Sequence, residues 1–500
     1  MRASMKFLVL VLSLGVLAIG AFAAWIAIAF VRAPLDTVGD VDFDRALAIP
    51  PLAESRVDGD VRTFDLRLQN GTSDLGADHP TPTWGINGDL LGPTLRAERG
   101  ETVTMRVRND LPETSTLHWH GMHLPAEMDG GPHQLIEPGN VWSPTWAIDH
   151  PASTLWYHPH LHGATADHVY RGLAGMFIID DPLEAELDLP RDYGVDDLPL
   201  IVQDKNLDED GDLDMSESFF GSAGVIGETV FVNGTPGAYA EVTTEAVRLR
   251  LLNGSNARPF AFAFADGRGF DLIGTDGGLL EAPAAMDTLQ LSPGERAEIV
   301  VRFEPGENIV LRSEPSDTGN TFAGGRDRLD IMEFRAADRL DSSPAVPDRL
   351  VEVPRLDPQD ASEERSFRLA DSTINGLEMD MQRVDEVVDA GATEIWTVTN
   401  NDGGSHNFHV HDVQFQVLDI DGREPPPHLR GWKDTVWLRP SEPVRLIMRF
   451  GHHTSTEWPY MFHCHTLRHE DDGMMGQFMV VEPGQSPGPI PQAEGHEHEH

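Results

Sequence analysis

The stretch Val103-Thr104-Met105-Arg106-Val107-Arg108-Asn109 alternates apolar and polar residues and stops at an asparagine. Two later stretches end the same way, Val247-Arg248-Leu249-Arg250-Leu251-Leu252-Asn253 and Glu394-Ile395-Trp396-Thr397-Val398-Thr399-Asn400. Each follows a short signature, Ile86-Asn87-Gly88, Val232-Asn233-Gly234 or Ile374-Asn375-Gly376, and the signatures are spaced 146 and 142 residues apart. Period-two alternation bounded by Gly, Asn and Pro marks half-buried strands. Three copies of one unit predict three related β-sandwich domains. A chain of 500 residues, at about 150 per domain, gives the same count.

Composition sets the boundaries. The domains are expected at 56–185, 186–340 and 366–483, with an acidic, Pro-containing linker at 32–55 and a Pro-, Asp- and Ser-rich one at 341–365. Positions 7–30 carry no charge, with Arg2 and Lys6 before them and Arg32 after, and are long enough to span a bilayer as a helix. Ala21-Phe22-Ala23 offers a signal-peptidase site, yet the apolar run continues to Phe30. Residues 1–31 therefore read as a membrane anchor, favoured over a cleaved signal segment, with the body exported. Residues 484–500, ending His496-Glu497-His498-Glu499-His500, read as a disordered His-rich tail. Asn206, Asp208, Asp210, Gly211 and Glu217 fit the spacing of a calcium loop. The strand-like flank Leu198 to Val202 instead predicts an acidic β-turn.

Asp and Glu outnumber Lys and Arg by 82 to 37, a formal charge of −45, which excludes nucleic acid and anionic membrane surfaces as partners of the folded body. One cysteine stands against 22 histidines. That rules out an intramolecular disulfide, a Cys-based zinc finger and a four-Cys iron–sulfur cluster.

Random placement of 22 histidines gives about one His-x-His pair. Outside the tail there are five: His118/His120, His158/His160, His160/His162, His409/His411 and His463/His465. On a strand, residues i and i+2 share a face, so each pair aims two imidazoles at one point. Four converging pairs would supply eight nitrogens, too many for one tetrahedral zinc and suited to a cluster of several metals. The middle repeat has none, reading Ser255-Asn256-Ala257-Arg258-Pro259-Phe260 at that place. It is expected to be a spacer between two chemical domains. Cys464 sits inside His463-Cys464-His465 and alternation turns it to the opposite face. His469 and Met474 follow it, and His406 lies upstream. Two imidazoles, a thiolate and a weak thioether make a blue-copper electron-transfer site.

The motifs His118-Trp119-His120-Gly121, Trp156-Tyr157-His158-Pro159-His160-Leu161-His162-Gly163, His406-Asn407-Phe408-His409-Val410-His411 and His463-Cys464-His465 through Met474 resemble those of three-domain, laccase-like bacterial multicopper oxidases. The resemblance covers roughly residues 55–482. It implies an all-β fold of three cupredoxin-like Greek-key sandwiches behind an N-terminal hydrophobic helix. It also implies four copper ions: a type 1 ion on His406, Cys464 and His469 with Met474 axial, a type 2 ion on His118 and His409, and a type 3 pair on His120, His158, His160, His411, His463 and His465. His162 belongs to the motif without being a ligand. His79, His123, His133, His150, His168, His428, His452 and His453 are expected to be surface or structural residues.

Dioxygen needs four electrons to become water, whereas most reductants release one at a time. A mononuclear site would therefore collect electrons and Cys464 would pass them on. Asp129 and Glu470 stand where the resemblance places proton-supplying acids, though either could simply orient a histidine. Asp402, four residues before His406, resembles a substrate-side acid of cuprous oxidases. Gly404 stands where those enzymes carry methionine, and their Met-rich insertion is missing. A laccase-like oxidase of phenols or aromatic amines is thus favoured over a metal-ion oxidase. Two other classes compete: a copper-free scaffold, against which every ligand position is filled, and a copper store, to which the His tail points.

Overall fold

A computed structural model describes residues 2–217, 224–316 and 321–491. Each repeat forms two facing sheets. The three alternating stretches are the equivalent strands Thr102–Asn109, Ala246–Asn253 and Thr393–Asn400, each paired in parallel with the first long strand of its own sandwich. Val103, Met105 and Val107 are fully buried while Arg106 and Arg108 face water. Each sandwich has its own apolar cluster: Phe64, Val107 and Trp119 in the first, Leu249, Phe262 and Phe334 in the middle, Trp396, Phe408 and Phe478 in the third. Fully burying one such side chain stabilises by about 1.5–3 kcal/mol.

The two asparagines of each repeat have a structural task. Asn87, Asn233 and Asn375 all adopt a left-handed backbone, with φ of 58°, 51° and 56°. The amide of each imitates a strand partner. Asn233 accepts from the Ile201 N–H at 2.8 Å and donates to the Pro199 carbonyl at 2.9 Å, and Asn87 and Asn375 do the same to Arg67 and Asp65 and to Arg368 and Ser366. The strand-ending Asn109, Asn253 and Asn400 each donate to two carbonyls and accept from a backbone N–H two residues on. Asparagine suits both places because it tolerates the left-handed region and hydrogen-bonds its own backbone.

The middle strand departs from the half-buried expectation. Arg248 and Arg250 are 1% and 2% exposed, because their face meets the first sandwich. Arg248 donates to Glu298 and Glu184, and Arg250 forms a two-pronged pair with Asp197. Thr154 of the first sandwich donates to Glu298 at 2.6 Å and accepts from Arg250. The expected spacer is thus clamped to its neighbour by paired buried charges.

Both expected linkers lie along the sandwiches. The segment 32–55 is bound along the other domains: Arg45–Ala46 adds a parallel strand to the middle sandwich, and the Ala53 N–H donates to Thr94 of the first. In 341–365, Leu350 and Val353 are buried and the Leu350 N–H donates to Glu281. Apolar side chains in these Pro-rich stretches find sandwich surface to cover. Residues 206–217 form a hairpin turn in which Asp208 accepts from the Asp210 and Asp212 N–H groups, with strands on both sides rather than the helices of a calcium hand. The helix Arg2–Arg32 is long and apolar enough to cross a membrane. The tail histidines His496, His498 and His500 lie outside the described residues.

Candidate metal centre

Strand register delivers the histidines. In the first sandwich, His118 pairs across the sheet with His158 and His120 with Trp156. In the third, His409 pairs with His463. The middle sandwich has Phe260, Phe262 and Phe264 on its corresponding strand, all in its apolar core. The two histidine-bearing sheets face each other, so residues about 300 apart meet, with the His118 ring stacked on His411 at 3.9 Å and His120 on His409 at 3.8 Å.

Eight imidazoles sort into three sets by which rings meet. His160, His411 and His463 bring their Nε2 atoms together at 3.1, 3.2 and 3.2 Å. Their outer nitrogens meet carboxylates. Glu470 lies 3.2 Å from Nδ1 of both His160 and His463, and Asp129 Oδ2 lies 2.7 Å from Nδ1 of His411. A second set forms from His120 Nδ1 and His158 Nε2, 3.3 Å apart, with the His465 ring 4.9 and 5.3 Å from theirs. His118 and His409 form the third, their Nδ1 atoms each held by a backbone carbonyl at 2.9 Å, those of Asp129 and Asp434. The ring of His406, by contrast, stands on the far side of Cys464. Its Nδ1 is 3.2 Å from His469 Nδ1, and both are 3.7 Å from Sγ. Met474 is fully buried in the same core as the thiol and its carbonyl accepts from the Cys464 N–H.

The protonation states follow from burial. Desolvation, reinforced by neighbouring rings, holds His120, His158, His160, His409, His411 and His465 well below the usual histidine range, and burial takes His463 down to about 3. Neutral imidazoles present lone pairs rather than protons. Burial pushes the Cys464 thiol up, but His406 and His469 beside it outweigh that and hold it well below its ordinary value. Burial, with the neighbouring Asp471, pushes the Glu470 carboxyl well above its ordinary value.

Copper fits this donor set. The inward Nε2 atoms of His118 and His409 and both nitrogens of His465 are buried without any hydrogen-bond partner, a costly state unless a metal takes the lone pair. Imidazoles with one thiolate suit copper.

Several residues escaped sequence reasoning. Asp434 lies 3.1 Å from His120 Nε2 and receives a two-pronged pair from Arg296 at 2.7 Å for both bonds. Arg296 belongs to the middle sandwich and also donates to the Thr154 carbonyl of the first. Asn407 accepts from the His465 N–H at 2.6 Å and donates to the Pro293 carbonyl of the middle sandwich. Its position between His406 and Phe408 was the available signal. Of the other histidines, His133, His150 and His168 are buried and hydrogen-bonded to Gln477, Gln414 and Glu113.

Fold and site together define a copper oxidoreductase built from three cupredoxin-like sandwiches. The multicopper oxidase profiles match residues 67–184, 208–324 and 351–484, and the chain belongs to the multicopper oxidase family. It is 37% identical over 450 residues to the cell division protein FtsP of Xenorhabdus nematophila, covering 87% of this chain and 92% of that one. It is 35% identical over 442 residues to the multicopper oxidase mco of Staphylococcus haemolyticus, with the same coverage. Among solved structures it superposes on the laccase-like multicopper oxidase CueO of Ochrobactrum sp., described with activity towards lignin model compounds, with a TM-score of 0.80, 36% identity and coverage of 87% and 100%.

Proposed function

We propose that the chain oxidises phenols or aromatic amines at the His406, Cys464 and His469 site and reduces dioxygen to water at the imidazole cluster. Four copper ions, one at the first site and three in the cluster, would supply the one-electron chemistry. The observation carrying this reading is the tripeptide His463-Cys464-His465, whose thiol joins one donor set while its two imidazoles join two others. Asp402 accepts from His406 Nε2 at 2.9 Å, which turns Nδ1 towards Sγ. Met474, buried in the same core as the thiol, would be a further weak donor to the copper held there, and Asn407 fixes the backbone between thiol and cluster. Asp129 faces the outer nitrogen of His411 and Glu470 those of His160 and His463, and these two are the acids from which protons reach oxygen. The likeness to a laccase-like enzyme active on lignin models supports the aromatic substrate class. The relatives named as cell division proteins raise a role in division; against a copper-free form of it, every ligand position is filled. The body acts outside the cytoplasm, held by residues 7–30.

A cuprous-ion oxidase is the second reading, and Asp402 favours it: the carboxylate is 27% exposed at the edge of the first site. Copper-reconstituted protein should hold four ions, show an intense blue band and take up oxygen. A protein that refuses copper overturns the oxidase reading. On one such preparation, kcat/KM for a phenol should exceed that for cuprous ion. If cuprous ion is preferred and Asp402→Asn lowers its turnover at least tenfold while sparing the phenol, the second reading replaces the first.

A further inference from the structure

Three histidines outside the copper centre converge at the cleft where the sandwiches meet. His123 leaves the first sandwich just past the His118–His120 strand, and His452 and His453 leave the third just past Val444–Arg449. Ring centres are 4.8 Å apart for His123 and His453, 4.4 Å for His452 and His453, and 6.0 Å for His123 and His452. The rings of His160, His411 and His463 stand 4.8 to 5.4 Å apart. Metal–nitrogen bonds of about 2.0–2.1 Å place the ring centres of three ligands roughly 5 Å apart, so the outer trio has the spacing of a ligand set.

The orientation of His123 agrees. Asp412 Oδ1 sits 2.7 Å from His123 Nδ1, the carboxylate contact that fixes a ligating histidine and leaves Nε2 for the metal. That Nε2 lies against Gly451, where a Cβ would come within 2.7 Å of it. His123 is therefore pressed against the residue that introduces the other two rings. His452 and His453 sit outside any strand, which lets adjacent side chains share one side. His123 and Gly451 line a cleft of about 390 Å³ together with Asp149 and Asp412, and His452, which follows Gly451, is exposed.

We propose that His123, His452 and His453 bind one late first-row divalent cation, in a site separate from the copper centre. Imidazole nitrogens select copper, zinc or nickel over calcium or magnesium, and Asp412, in contact with His123, offsets the cation's charge. The proposal is independent of what the oxidase acts on.

Zinc is the probe, since it is not redox-active. Full-length, copper-loaded protein carrying His496→Ala, His498→Ala and His500→Ala, so that the tail contributes nothing, is titrated calorimetrically. One zinc per chain is expected, and His452→Ala with His453→Ala should weaken it at least tenfold without altering copper content or the blue band. His452→Ala alone, at an exposed position, gives the same reading should the double variant fold poorly. Zinc-edge anomalous scattering from crystals should place the ion among the three rings. No zinc binding, unchanged binding in the variants, or an ion located elsewhere overturns the proposal.

Discussion

A carboxylate behind an imidazole decides which nitrogen faces inward, and this residue-scale detail orients four of the eight cluster histidines. Glu470 and Asp129 occupy the Nδ1 side of His160, His463 and His411, whereas Asp434 occupies the Nε2 side of His120 and reverses that ring. The ligand doublets were legible because His-x-His spacing survives any detail of packing. The orienting acids were less so. A buried aspartate with an arginine partner looks, in sequence, like any surface charge in a chain with 82 acids. Cys464 is the sharpest test at this scale. Cys464→Ser should abolish the blue band and reduce turnover to background, while circular dichroism remains that of the folded chain; a persisting band refutes the assignment of the thiol.

At the scale of elements, the strands were readable because alternation and the terminal asparagine repeat three times. The signature asparagines carry more than punctuation, since each combines a left-handed backbone with two strand-like hydrogen bonds. Alanine at such a position adds about 1–2 kcal/mol of left-handed strain and loses bonds of about 0.5–1.5 kcal/mol each. Asn233→Ala should cost more than Asn375→Ala, because both bonds of Asn233 are buried and those of Asn375 are exposed. Thermal melting should show the larger loss for Asn233→Ala, and equal midpoints would count against the account. What the sequence concealed were elements whose partners are distant. The straps at 32–55 and 341–365 carry loop composition, and only the finished sandwiches offer the surface that orders them.

At the scale of the molecule, the middle sandwich holds the outer two in register through buried charge. Glu298 shows the consequence. Burial raises its carboxyl, but Arg248 and Arg250 overcome this and bring it from 4.5 to about 2. A folded-state value below the unfolded one gives stability that is complete above about pH 4.5 and lost as pH falls towards 2. The lost amount is about 3 kcal/mol, at 1.36 kcal/mol per unit. Glu298→Gln should lower the melting midpoint at pH 7, since breaking a buried pair costs about 3–5 kcal/mol. The gap between variant and parent should narrow from pH 5 to pH 3. A constant gap would place the acid sensitivity elsewhere.

The meeting of His118 to His160 with His406 to His465 also sets a timetable. A ribosome delivers the first half of the cluster's ligands long before the second, and domains generally fold as they are made. By itself the first sandwich offers only a half-built set of imidazoles, and the set is whole only with the third in place and Arg296 paired to Asp434. Metal captured in that interval would meet only His118, His120, His158 and His160. The finished centre records that the whole chain has been completed and docked.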